Sequence, residues 1–154
     1  MNANDFDINS VIHFGEAKGG LMNVNGFDID GVIHLGDGKC GIHPGPRDVI
    51  ITGRSFEESE ETLAFLRRNQ IDNHVIFNSL PYDLKTRETS GRHKGEAIVD
   101  LARREVYVNF FYEDDRIQAQ EIRKIVKRNK LDTKVIFVNN PFVKKENRRH
   151  LEDL

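Results

Sequence analysis

The sequence predicts an α/β fold, a Rossmann-like three-layer sandwich built on a central parallel sheet of about five strands. Short apolar runs typical of buried parallel strands recur along the chain. These runs are Val24–Ile29, Val49–Thr52, His74–Phe77, Val106–Tyr112 and Lys134–Val138. Helical patterns separate the later runs, and this alternation favours parallel strands joined by right-handed helical crossovers. The length of 154 residues suits one domain with one hydrophobic core.

Three helices are predicted between the later strands. The first begins at Ser55, where Glu58 three residues later completes the pattern of a capping box. The second begins near Lys94, and the third begins after Asp115, which has the residue type and position of a helix cap. The interval 31–47 contains five glycines and two prolines. It is therefore expected to connect the first two strands as a loop, without a helix, and to start as a small hairpin.

Composition favours a cytoplasmic protein without a membrane span. The single cysteine, Cys40, cannot close a disulfide within the chain, which favours a reducing compartment. No apolar run approaches the ~20 residues that a membrane span requires, and the polar stretch 1–9 lacks the pattern of a signal peptide. The formal net charge of -2 neither favours nor excludes a nucleic-acid partner.

The chain opens with a duplication. Residues 1–20 align without gaps on residues 22–41 with 12 identities, and nothing later continues this period. The second copy contains Asp28-Ile29-Asp30-Gly31, whereas the first contains Asp7-Ile8-Asn9-Ser10. The second copy is therefore predicted to form the strand beside Val49–Thr52. The first is predicted to be a structural addition without catalysis that pairs at a sheet edge, folds over the functional face or exchanges between subunits.

Polar side chains stand where several of the predicted strands end. The set comprises Asp28, Asp30, Thr52, Asp114 and Asp115, together with Lys94 just upstream of the fourth strand. Ligands of an open parallel sheet bind beyond the carboxyl ends of its strands, so these side chains are expected to meet at one edge.

This set of residues suits phosphoryl transfer with magnesium. Clustered carboxylates repel one another unless a cation lies among them, and oxygen ligands suit Mg2+, which also binds substrate phosphate. One carboxylate can attack phosphorus, and an acid two residues on can protonate the leaving oxygen and then activate water. Thr52 offers a hydroxyl to a phosphoryl oxygen, and Lys94 supplies positive charge where negative charge develops.

Four segments, in this order, resemble the motifs of the haloacid dehalogenase (HAD) superfamily. Phe27–Val32 is similar to its first motif, Val49–Arg54 to its second, Lys94 to its third and Phe111–Asp115 to its fourth. The resemblance covers residues 24–138. It implies a HAD-like phosphatase without a cap domain, because both intervals that hold a cap in other members are short here.

The resemblance also implies roles for individual residues. Asp28 would be the nucleophile and a magnesium ligand, and Asp30 the acid–base and a further ligand through its backbone carbonyl. Asp114 would bind the metal, and Asp115 would bind it directly or through water. Domain boundaries follow: a duplicated segment at 1–21, a catalytic domain at 22–140 and a basic tail at 141–154.

The expected substrate is a phosphomonoester, with a nucleotide or polynucleotide phosphate ahead of a sugar phosphate or phosphoprotein. The nucleotide or polynucleotide phosphate is put first because the run Asp114–Gln118 is also, more weakly, similar to the phosphatase domain of phage-type polynucleotide kinases. Gly53, Arg54 and Arg92 are the predicted substrate-binding residues. An open, capless site suits a large substrate, or a homo-oligomer that supplies the lid. The alternative is a non-catalytic phosphate- or partner-binding protein on the same fold.

Overall fold

A computed structural model describes residues 22–140 of the chain; the duplicated segment 1–21 and the basic tail 141–154 lie outside the described residues. Its five strands are β1 (Met22–Phe27), β2 (Val49–Ser55), β3 (Val75–Asn78), β4 (Val106–Glu113) and β5 (Lys134–Phe137). All neighbouring strands are parallel, in the order β3-β2-β1-β4-β5. The predicted α/β fold with a five-stranded parallel sheet is therefore confirmed.

Three α-helices cover the two faces of this sheet. They are α1 (Ser59–Arg68), α2 (Arg87–Arg103) and α3 (Arg116–Arg128), and short 3-10 turns lie at Phe56–Glu58 and Tyr82–Leu84. One core cluster joins α2 and α3 to the sheet through Ile98, Leu101, Ile122 and Val126. The other face is packed against α1 through Phe65 and Leu66. Within the described residues, no helix combines the length and apolar character needed to cross a bilayer.

The second helix begins earlier than the sequence pattern predicts. It starts at Arg87, so both Lys94 and the predicted substrate-binding residue Arg92 lie within α2. Thr86 is the N-cap, and its hydroxyl accepts a hydrogen bond from the Thr89 N–H at 3.1 Å. The first turns lack an apolar stripe because small residues replace it. A Cβ at Gly91 would lie 2.8 Å from the Cα of Gln118 on α3, so α2 and α3 approach too closely there for a side chain.

The other predicted elements begin close to their expected positions. The capping pattern at Ser55 opens the 3-10 turn that leads into α1, and its N–H donates to Glu58 Oε2 at 2.7 Å. Asp115 caps α3, because its Oδ1 accepts the Ile117 N–H at 2.9 Å. The glycine-rich interval after β1 crosses without a helix. The Lys39 N–H there donates to the carbonyl of Gly36, which closes the predicted small turn.

The second copy of the duplication provides the central strand, as predicted. β1 lies between β2 and β4, with Gly26 opposite Val49 and Phe27 opposite Tyr112. Asp28 and Asp30 therefore leave the middle of the sheet at its carboxyl edge. The motifs that follow β2 and β4 emerge on either side of them.

Glycine at position 31 explains why the first copy cannot replace the second in this place. Gly31 has φ +87°, and a Cβ on it would overlap the carboxylate of Asp114. The first copy has Ser10 at the equivalent position. A serine there would meet both backbone strain and a steric clash, so the two copies are not interchangeable despite their similarity.

Candidate functional site

Three carboxylates from two neighbouring strands meet at the carboxyl edge of the sheet. Asp28 follows β1, while Glu113 ends β4 and Asp114 follows it. One carboxylate oxygen of each lies within 4.8 Å of the others, and all three residues are buried. The pairing of Phe27 with Tyr112 brings these side chains together because it aligns the ends of β1 and β4. The cluster has the composition of a cation site.

Lys94 reaches this cluster from the middle of α2. Its Nζ lies 3.0 Å from Asp28 Oδ1 and 2.7 Å from Glu113 Oε1, and its side chain is 1% exposed. Burial alone lowers the pKa of Lys94, but the two adjacent carboxylates outweigh burial and raise the pKa above its usual value. The lysine is therefore a permanent cation that fixes one oxygen of each neighbour.

The charges of this buried group do not cancel among its own members. Three carboxylates and one ammonium carry a formal charge of about two negative units. Burial, followed by repulsion from Asp28, raises the pKa of Glu113 well above its usual value, with Lys94 acting in the opposite direction. A divalent cation among the oxygens would neutralise the group. The donor set is all oxygen, which fits a hard ion, so these three residues could bind a metal ion.

Glu113 was not among the predicted site residues, yet its side chain bonds to Lys94 and to two backbone N–H groups. Besides its bond to Lys94, its Oε2 accepts the N–H groups of Asp114 and Asp115, each at 3.1 Å. It is fully buried at the end of β4. The acidic run 113–115 was visible in the sequence. Assignment of Glu113, however, required knowing that its side chain points inward, towards Lys94.

Asp30 lies beside the cluster and is bound by Arg54. Arg54 donates from Nε to Asp30 Oδ2 at 2.9 Å and from Nη2 to Asp30 Oδ1 at 2.7 Å. Its Nη1 also donates to Thr62 Oγ1 on α1 at 3.0 Å, which fixes the guanidinium plane. The Asp30 side chain is 36% exposed, so it lies at the mouth of the site rather than within it. The structure thus joins two predicted site residues in one ion pair.

Asp115 faces a different set of partners from Asp114. Arg87 donates from Nε to Asp115 Oδ2 at 2.9 Å and from Nη2 to Oδ1 at 2.8 Å. The same carboxylate caps α3 and accepts from Gln118 Nε2 at 3.2 Å. Among residues 22–140, the carboxylate cluster comprises Asp28, Glu113 and Asp114. In this arrangement Asp115 ties the start of α2 to the start of α3.

The remaining predicted residues follow β2 or lie on α2. Thr52 is buried, and its Oγ1 accepts the Arg54 N–H at 3.0 Å. A hydroxyl that accepts such a bond keeps its own proton as a donor. The carbonyl of Gly53 accepts from Lys85 Nζ at 3.2 Å, which anchors the turn after β2. Arg92 is exposed on α2.

Two solved chains share this fold. One belongs to the Pnkp1/Rnl/Hen1 RNA repair complex and is 17% identical with a TM-score of 0.55; the match covers 81% of this chain and 45% of that one. The other, from a Pnkp1/Rnl/Hen1 complex, is 17% identical with a TM-score of 0.56 and coverage of 82% and 49%. This chain therefore spans about half the length of the solved chains it matches. No family model and no curated protein matches it. At this identity the likeness shows the fold.

Proposed function

We propose that the chain is a magnesium-dependent phosphatase of the HAD type that hydrolyses phosphomonoesters through an aspartyl-phosphate intermediate. The observation that carries this proposal is the buried group of Asp28, Glu113 and Asp114 around Lys94, with its uncompensated negative charge. Buried charges are costly unless they are paired or bind a metal. A site for a cation and a phosphate explains why they are retained here.

Asp28 is the proposed nucleophile. Its Oδ1 accepts the Ile29 N–H at 2.8 Å and lies 3.0 Å from Lys94 Nζ, so this oxygen is fixed and the other is oriented with it. The carboxylate attacks phosphorus, the bond from phosphorus to the ester oxygen breaks, and the leaving oxygen takes a proton from the Asp30 carboxyl. Asp28 and Asp114 would hold a magnesium ion, which when bound would neutralise charge on the phosphoryl oxygens. The Asp30 carbonyl would be the further ligand that the family resemblance implies.

Asp30 acts in both halves of the reaction. After the first half it is a carboxylate, which takes a proton from water as that water attacks the aspartyl phosphate. Inorganic phosphate then leaves, and the Asp28 carboxylate is regenerated. The bidentate contact with Arg54 favours the carboxylate form, which suits this second half. Protonation of Asp30 for the first half therefore requires the pair with Arg54 to open.

Thr52 and the turn after it form the proposed phosphate pocket. Thr52 donates its hydroxyl proton to a phosphoryl oxygen, and Arg54 contributes positive charge as it leaves Asp30. The metal role of Asp115 stays a prediction. Its carboxylate binds Arg87 and caps α3, so both of its oxygens already have partners.

A nucleotide or polynucleotide phosphate is the proposed substrate class. The two solved chains of the same fold come from complexes named for Pnkp1, Rnl and Hen1, one of them described as an RNA repair complex. Together with the similarity of the run Asp114–Gln118 to a polynucleotide-kinase phosphatase domain, this favours a role in processing nucleic-acid ends.

The decisive experiment is hydrolysis of an aryl phosphate and of 3′- and 5′-phosphorylated oligonucleotides, with magnesium and with chelator. We expect turnover that requires magnesium and is abolished in Asp28→Asn. The duplication supplies a matched control, because Asp7→Asn makes the same change in the first copy and should leave activity largely intact. Equal losses in both variants would overturn the assignment of Asp28. Absence of magnesium-dependent turnover would favour the non-catalytic binding protein.

A further inference from the structure

The connection between β3 and α2 carries an exposed apolar surface at the rim of the candidate site. Tyr82 and Leu84 lie in its 3-10 turn and are 49% and 62% exposed. These are the largest exposures among the big apolar side chains within residues 22–140. The turn follows the carboxyl end of β3, the same sheet edge at which Asp28 and Thr52 lie.

Hydrogen bonds attach this turn to the segment that follows β2. The Tyr82 N–H donates to Glu57 Oε1 at 3.0 Å. Lys85 Nζ donates to the carbonyl of Gly53 at 3.2 Å and to Glu58 Oε2 at 2.6 Å. Gly53 directly follows the threonine of the proposed phosphate pocket. The turn is therefore held at a fixed distance from the place where the phosphate would bind.

The Tyr82 ring is also held in place by a cation. Lys85 Nζ lies over the ring, 4.8 Å from its centroid, while it bonds to Gly53 and Glu58. On the other side of the turn, Arg87 binds Asp115. The Tyr82 ring is thus partly exposed and also held in a fixed position, and a stacking surface needs both properties.

We propose that Tyr82 stacks against the nucleobase next to the phosphate that the enzyme removes. This rests on the proposed function, which it deepens by assigning recognition of the base rather than of the phosphate alone. Aromatic side chains beside basic residues bind single-stranded nucleic acids without strong sequence preference, because every base offers a π-face. The site consequently prefers frayed or single-stranded ends and tolerates any terminal base.

The kinetic experiment compares two oligonucleotides that end in a phosphate and differ only in whether the terminal nucleotide carries a base or is abasic. The wild type should show a lower KM for the end that carries a base. Tyr82→Ala should reduce the ratio of the KM for the abasic end to the KM for the end that carries a base by a factor of roughly 5 to 100, which is the effect of losing one stacked base. Tyr82→Phe should retain the preference. Tyr107→Ala is the matched control, since Tyr107 is 37% exposed but is the second residue of β4, near the amino ends of the strands and away from the candidate site.

A binding experiment separates this proposal from the proposed phosphatase activity. Fluorescence anisotropy with a labelled single-stranded oligonucleotide needs no turnover and uses the full chain carrying Asp28→Asn. Adding Tyr82→Ala should weaken binding by a similar factor, and adding Tyr107→Ala should not. An unchanged affinity and an unchanged KM ratio in Tyr82→Ala would refute stacking even in an active phosphatase. Loss of affinity in a chain without phosphatase activity would support the base site and refute only the chemistry. Equal losses in both tyrosine variants would also refute it.

Discussion

The substitution Asp114→Asn should change the folding stability of this chain with opposite signs in chelator and in magnesium. In the wild type, Asp28, Glu113 and Asp114 repel one another until a divalent ion lies among them. Removing one carboxylate relieves that repulsion but also removes a ligand. Asp114→Asn should therefore be more stable than the wild type in chelator and less stable in magnesium.

The distances in the cluster set the size of both effects. Two carboxylate oxygens that lie within 4.8 Å of each other repel by about 3 kcal/mol or more at an effective dielectric constant of ~20. Partial protonation of Glu113, whose pKa is raised by burial and by repulsion from Asp28, makes the net gain in chelator smaller than this. Magnesium at ~100 times its dissociation constant should stabilise the wild type by about 2.7 kcal/mol. For a domain of this size, that is a rise in Tm of about 10 °C.

Thermal unfolding followed by circular dichroism, with a magnesium titration of each variant, measures the stability of Asp114→Asn relative to the wild type in chelator and in magnesium. Asp115→Asn is the informative comparison. It should lower stability in chelator, since Arg87 and the start of α3 lose their partner, yet retain the response to magnesium. A wild-type Tm that is independent of magnesium would refute the cation site. A response lost in Asp115→Asn but kept in Asp114→Asn would show that the wrong carboxylate has been assigned.

Three further outcomes follow from contacts in and around the site. Glu113→Gln should lower kcat about 10- to 100-fold with a smaller change in KM, because the amide oxygen still accepts from Lys94 while the amide nitrogen can accept from neither backbone N–H group. Steady-state kinetics in which KM alone changed would contradict this. Burial, and next the charge of Lys94, lowers the pKa of His93 to about 4. The free energy of unfolding should therefore fall by about 3 kcal/mol as the pH drops from 6.5 to about 4. Urea unfolding should show this dependence on pH in the wild type and not in His93→Gln. Gly31→Ser should lower the free energy of unfolding, measured in urea, by more than about 2 kcal/mol, while the reverse change Ser10→Gly should leave it unchanged. Similar effects of both substitutions would contradict the structural distinction between the two copies.

The strands were predictable from sequence because each contains a short apolar run, even though β4 and β5 leave some of their residues exposed. The predicted run Val106–Tyr112 differs from β4 by one residue, and Lys134–Val138 differs from β5 by one. The ends of these runs then indicated which polar side chains would meet, since parallel strands share a carboxyl edge.

The start of α2 and the ion pairs were not predictable in the same way. Helix prediction relies on an apolar stripe, and the first turns of α2 have small residues instead because α3 packs directly against them. Thr86, the N-cap, is the local signal that could have identified the true start, but it was not used in the prediction. The pair of Arg54 with Asp30 joins residues 24 positions apart, and no local pattern encodes such a contact.

The energetics of the buried cluster are themselves an argument for function. Asp28, Lys94, Glu113 and Asp114 are all buried, although apolar side chains of similar volume at these positions would avoid the cost of removing charges from water. A balanced ion pair could be retained for its contribution to a unique fold, but this group has more negative than positive members. An excess of buried charge destabilises the chain alone, and either protonation of Glu113 or a bound cation relieves it. A cation that binds would therefore recover the free energy that the cluster costs, and this supports the proposed metal site at the carboxyl ends of β1 and β4.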